Sequence, residues 1–210
     1  FQRGTVASVI RQIQMKIPNF EQLRLPSLLG ELVLALRGLI LVTGATGTGK
    51  STTMAAMIDY RASQADGHIV TVEDPIEYVF QHKKSVVTQR EVGIDTFSFR
   101  EALKNILRQA PNVIYIGELR DSETVEFALH SAETGHLVFG TLHTSSAAHT
   151  IDRIIDVFPG NEKDMIRAML AQSLRAVIAQ RLFKSPEGGM YPATEILIST
   201  DAIRNLIREH

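Results

Sequence analysis

Gly44-Ala45-Thr46-Gly47-Thr48-Gly49-Lys50-Ser51 is the stretch that any fold of this chain must accommodate first. It follows an apolar run, Leu39 to Val42, and leads into Thr52–Ser63, whose spacing predicts a helix. Strand, glycine-rich turn and helix N-terminus in that order are the context in which GxxxxGK[ST] binds phosphate. Gly47 and Gly49 let the backbone curl so that successive N–H groups face one anion. The helix N-terminus adds unsatisfied donors and partial positive charge. The segment Gly44, Ala45, Thr46, Gly47, Thr48, Gly49, Lys50, Ser51 and Thr52 therefore reads as the cradle of a nucleoside triphosphate. Lys50 reaches the β/γ-phosphates and Ser51 offers its hydroxyl to Mg²⁺.

The rest of the chain alternates in the same manner. Apolar runs at 68–73, 113–116, 137–142 and 193–198 predict strands, the first three buried. Helical spacing is read over 99–109, 122–134, 151–158, 164–181 and 201–209. Residues 81–96 mix polar and β-branched types and predict a short hairpin. Short apolar strands alternating with longer helices predict an α/β fold, a parallel-rich sheet flanked by helices on both faces. Before the first strand, Val6, Val9, Ile10, Ile13 and Ile17 recur at helical spacing over 1–17, and Pro18 ends that run. Asn19–Pro26 reads as a linker and Ser27–Leu36 as a second short helix.

In open parallel sheets ligands gather at the carboxyl ends of strands. The phosphate loop, Glu73, Glu118 and His143 all occupy such ends. Transfer of a phosphoryl group needs positioning and charge neutralisation, and so a carboxylate near the metal and another to orient water. Glu73 is the candidate general base and Glu118 the candidate support for Mg²⁺, and the two can exchange roles. An acid at a strand end can also do no more than cap the next helix; Asp74, before Pro75, and Glu77 are weaker candidates on that ground. His136 and His143 flank one strand seven residues apart, an odd spacing that sends them to opposite faces and argues against a shared metal. Arg90 and Arg108 are candidates to neutralise transition-state charge, in this chain's site or a neighbour's. Over 201–209, Ile203, Leu206 and Ile207 fall on one face and the two arginines on the other.

Bulk composition narrows the classes. The chain of 210 residues carries 22 basic and 23 acidic residues, so net charge does not announce nucleic-acid binding. It has no Cys, which excludes disulfides and thiolate zinc sites and fits a reducing compartment. No apolar run approaches the roughly 20 residues that span a bilayer. The chain begins at Phe1 rather than Met and stops directly after a helical pattern, so segments are expected beyond both ends.

Four motifs together resemble the secretion-type ATPases that drive type IV pili and type II secretion. GATGTGKST at 44–52 looks like their Walker A motif and VEDPIEY at 72–78 like their Asp box. IGELRDSET at 116–124 is similar to their Walker B, and GHLVFGTLHT at 135–144 to their His box. AIRNLIRE at 202–209 resembles the signature of the PilT-type retraction motors, while QREVG at 89–93 looks equally at home in the PilU-type accessory ATPase. The resemblance implies a RecA-like P-loop NTPase core over 37–210, incomplete at its C-terminal end. It implies the end of a truncated PAS-like domain over 1–20 and a linker with a lead-in helix over 21–36. It further implies ATP and Mg²⁺ as cofactors and a homohexamer in the cytoplasm at the inner-membrane face of a pilus machine. An inner-membrane platform protein and a paralogous ATPase are the implied partners, with no direct nucleic acid. His143 and His136 would couple phosphate state to domain motion. An accessory retraction ATPase, a secretion or assembly ATPase, a non-hydrolysing switch and a RecA-like nucleic-acid translocase remain alternatives.

Overall fold

A strand without polar alternation must bury both its faces, and the computed structural model, which describes residues 3–6, 8, 13, 15–186 and 188–209, shows how this chain does so. The elements run in the order α1 (Leu28–Leu32), β1 (Gly38–Thr43), α2 (Lys50–Gln64), β2 (Gly67–Glu73), β3 (Ser85–Glu91) and α3 (Phe99–Ile106). They continue with β4 (Val113–Ile116), α4 (Ser122–Glu133), β5 (Leu137–Leu142), α5 (Ala147–Asp156), α6 (Lys163–Ser173), β6 (Leu174–Lys184), β7 (Met190–Ile198) and α7 (Asp201–Glu209). Among the described residues seven strands form one sheet in the order β3-β2-β4-β5-β1-β6-β7, parallel throughout except for the last, antiparallel pair. The expected α/β class is what the chain adopts.

Every residue of β1, β4 and β5 is buried. Because successive side chains alternate across a strand, each strand feeds two cores. Leu39, Leu41, Ile114, Ile116 and Val138 pack with α3, α4, α5 and α6 on one face. Ile40, Val42, Val113, Tyr115 and Phe139 pack with α1 and α2 on the other. Isoleucine, valine and leucine at adjacent positions are what a sheet covered on both sides requires.

Three expectations are corrected. No hairpin forms over 81–96: β3 lies parallel beside β2, pairing Gly67 with Ser85 and Glu73 with Glu91. Residues 74–84 cross over and bring the chain back to the start of β2, a connection without a helix. The helix expected over 164–181 ends at Ser173, and Leu174 turns the backbone to φ −61°, ψ 131°. The remainder is β6, inserted between β1 and β7. Its Ala, Gln, Leu and Arg are good helix formers, but β1 has an open edge there, and ladder bonds plus two-sided burial outweigh a propensity of tenths of a kcal/mol per residue. The helix expected over 1–17 is not present among the described residues of that stretch, where Val6 and Ile13 are exposed; Val9 and Ile10 lie outside the described residues.

Candidate nucleotide site

Parallel strands deliver their carboxyl ends to one edge, and β2, β4, β5 and β1 are neighbours there. Along that edge opens a cavity of about 450 Å³, lined by Thr46, Gly47, Gly49, Lys50, Ser51 and Thr52 on one side. Glu73, Asp74, Glu77, Tyr115, Glu118, Arg120, Thr141 and His143 line the other. The loop's shape depends on glycine. Gly44 and Gly49 have φ of 148° and 84°, where a side chain is strained. A Cβ on Gly44 would also collide with the backbone carbonyl of Gln180 and lie 2.6 Å from Thr48 Oγ1.

Lys50 begins α2 and is almost fully buried. Its ammonium donates to the carbonyls of Gly44 at 2.9 Å and Ala45 at 3.0 Å. It also lies 3.3 Å from His143 Nδ1. An ammonium can only donate, so Nδ1 accepts and the hydrogen of a neutral His143 sits on Nε2. That nitrogen is 3.2 Å from Glu118 Oε1, while Glu118 Oε2 accepts from Arg120 Nε at 2.7 Å. A chain of contacts thus runs from the lysine through the imidazole to the carboxylate and on to arginine. Burial pushes the Lys50 pKa down, against the opposing charges of Glu118 and Glu77.

Glu73, at the end of β2, is 6% exposed. Its Oε1 accepts from Thr71 Oγ1 at 2.7 Å and Gln89 Nε2 at 3.2 Å. Burial raises its pKa to about 7, against the lowering effect of those two hydrogen bonds and with a further push from Glu77 and Glu91. The edge strand β3 fixes the following loop: Gln89 Oε1 accepts from the Phe80 amide, and Glu91 Oε2 from the Ile76 amide. Tyr78 and Thr52 share a hydrogen bond at 2.9 Å that ties the loop to α2.

The cavity gathers most of the residues singled out from sequence: Lys50, Ser51, Glu73, Glu118 and His143, with Asp74 and Glu77. It does not gather His136, Arg90 or Arg108. His136 precedes β5 at the opposite edge of the sheet, where its carbonyl accepts from Gly38 N and its Nδ1 lies 3.1 Å from the Ser131 carbonyl. Arg90 is on the outermost strand, its Nη2 3.4 Å from Gln109 Oε1, and Arg108 is exposed after α3. The structure adds Arg120, Thr141 and Tyr115. Thr141 stands two residues before His143, so the period of β5 was the available signal for it, while Arg120 lies in the loop after β4, where no period points to it. Among the described residues no three His, Asp or Glu side chains are grouped to hold a metal by themselves. A cation here would share its oxygen ligands with phosphate, as Mg²⁺ commonly does.

A parallel sheet carrying a glycine loop, buried lysine and strand-end carboxylates along one edge defines a phosphate-loop nucleotide-binding domain. The chain belongs to the family described as type II/IV secretion system protein, which matches residues 7–191. It is 54% identical over 208 residues to the type IV pilus retractation ATPase PilT of Pseudomonas aeruginosa, covering 99% of this chain and 60% of that protein. To the type IV pilus ATPase PilU of the same organism it is 49% identical over 210 residues, covering 100% of this chain and 55% of that protein. The crystal structure of the pilus retraction motor PilT with bound ADP superimposes with a TM-score of 0.92 at 57% identity, over 95% of this chain and 58% of that one.

Proposed function

We propose that the chain is the catalytic core of an ATP-hydrolysing motor that powers type IV pilus retraction. The observation that carries this reading is the convergence of Lys50, Glu118, His143 and Glu73 around the phosphate loop. The likeness to PilT supports the choice of motor. Lys50 neutralises the β/γ-phosphates, with the loop amides beside it. Ser51 and Glu118 supply the hard oxygen donors suited to Mg²⁺, which when bound neutralises charge on the transferring phosphoryl group. Glu73 orients the attacking water and takes its proton. His143 links Lys50 to Glu118, so a change at either end reaches the other.

A second reading of the base is favoured by one observation. Oε1 of Glu73 is already engaged by Thr71 and Gln89, whereas Glu77 lines the same cavity and its charge acts on Lys50. Comparing turnover by Glu73→Gln and Glu77→Gln separates the two. Arg90 and Arg108 point to no role in this chain's own cavity, and we assign them to a neighbouring subunit's site in a homohexamer. The assembly would sit in the cytoplasm against an inner-membrane platform protein, with a PilU-type paralogue as a further partner. Residues 1–20 would close a preceding PAS-like domain. The chain spans 60% and 55% of the two curated relatives' lengths. The deciding experiment therefore uses the parent hexamer: ATP turnover with its mass from light scattering, beside Lys50→Ala and Glu118→Ala. Both variants are expected to lose turnover by at least about a hundredfold. Parental turnover by Glu118→Ala would refute the assignment, and DNA-stimulated turnover by a monomer would point to a translocase.

A further inference from the structure

Gln180 lies on β6 against the back of the phosphate loop and is 3% exposed. Its amide is used at both ends. Nε2 donates to the carbonyl of Thr48 at 2.6 Å, and Oε1 accepts from Thr53 Oγ1 at 2.8 Å. A carbonyl can only accept, so the NH₂ group must face Thr48, and the amide's orientation is chemically determined. A buried amide is costly unless both ends are bonded. Here both bonds go to the loop and to α2 rather than to the sheet.

The Thr48–Gly49 peptide is planar, so the N–H of Gly49 points opposite to the carbonyl of Thr48. Holding that carbonyl back against β6 turns the N–H forward, toward the cavity that Gly47, Gly49 and Lys50 line. Gly49, at φ 84°, has no Cβ to restrain the peptide, so glycine alone leaves this orientation free. The approach is close: a Cβ on Gly49 would sit 3.0 Å from Gln180 Nε2. We propose that Gln180 is a positioning residue for phosphate binding, locking the Thr48–Gly49 peptide with its N–H toward the nucleotide, while Thr53 fixes the amide that does so. This rests on the reading of the cavity as a nucleotide site.

The test is calorimetric titration of the parent hexamer with ADP and with AMP, both with Mg²⁺, unaltered and as Gln180→Leu, Thr53→Val and the double variant. Gln180→Leu is expected to weaken ADP by about tenfold, as loss of an oriented phosphate contact does, and AMP by less than about twofold. Thr53→Val should shift ADP in the same direction, and the double variant should be no weaker than Gln180→Leu alone. ADP affinity within twofold of the parent, or equal losses for ADP and AMP, would overturn the positioning role. If Gln180→Leu does not fold, Thr53→Val carries the same expectation and the same refutation. No ADP binding by the parent would instead overturn the nucleotide-site reading, and the inference would fall with it.

Discussion

Glu73 shows what a site residue costs its own fold. Its folded pKa of about 7 stands above the ordinary 4.5 because the carboxylate is cut off from water. The native state therefore holds a proton that the unfolded chain has released between those two values. Stability from this group is full below pH 4.5 and is lost as pH rises to 7, a difference of roughly 3 kcal/mol above that range. Glu73→Gln, which keeps the shape and the acceptor for Thr71, should unfold at higher denaturant than the parent at pH 8. The gap should close by pH 4.5. Urea titrations at the two pH values check this, and a gap that does not depend on pH would refute the shifted carboxylate. Such a trade of stability for reactivity is what the proposed role of Glu73 as base would require.

Helix α4 follows the Walker B-like segment, and its start is secured by a reciprocal cap. Asp121 accepts from the Thr124 amide at 2.8 Å, while the Thr124 hydroxyl faces the Asp121 backbone. Asp121→Ala should cost about 1 kcal/mol, read as a lower urea midpoint with an unchanged slope. At this scale the chain was unevenly legible. Helices α2, α3, α4 and α7 announced themselves through helical spacing, and β1, β4 and β5 through apolar runs. β3 and β6 did not. The residues of β3 are half polar because it is an edge strand, and its partner is chosen by the path of 74–84 rather than by its own pattern. β6 reads as a helix until β1 is seen beside it.

Across the whole molecule the sheet is the shared wall between two cores, and Phe139 at its centre is fully buried on the α1/α2 side. Phe139→Ala should destabilise the chain by about 3–5 kcal/mol, since a cavity there is enclosed by sheet and helices that cannot collapse into it. Thermal unfolding measures the loss; a much smaller effect would mean that the core repacks. The local chemistry was set by sequence: a glycine loop between strand and helix can hold little but phosphate, and strand-end acids follow from where apolar runs stop. Such features depend on neighbours in the chain, so spacing reveals them. Tertiary structure alone decided which strand ends adjoin, that His143 bridges Lys50 and Glu118 while His136 faces the far edge, and that Gln180 holds the loop from behind. Those contacts join residues 93 and 132 positions apart, and only the order of strands in the sheet brings them within bonding distance.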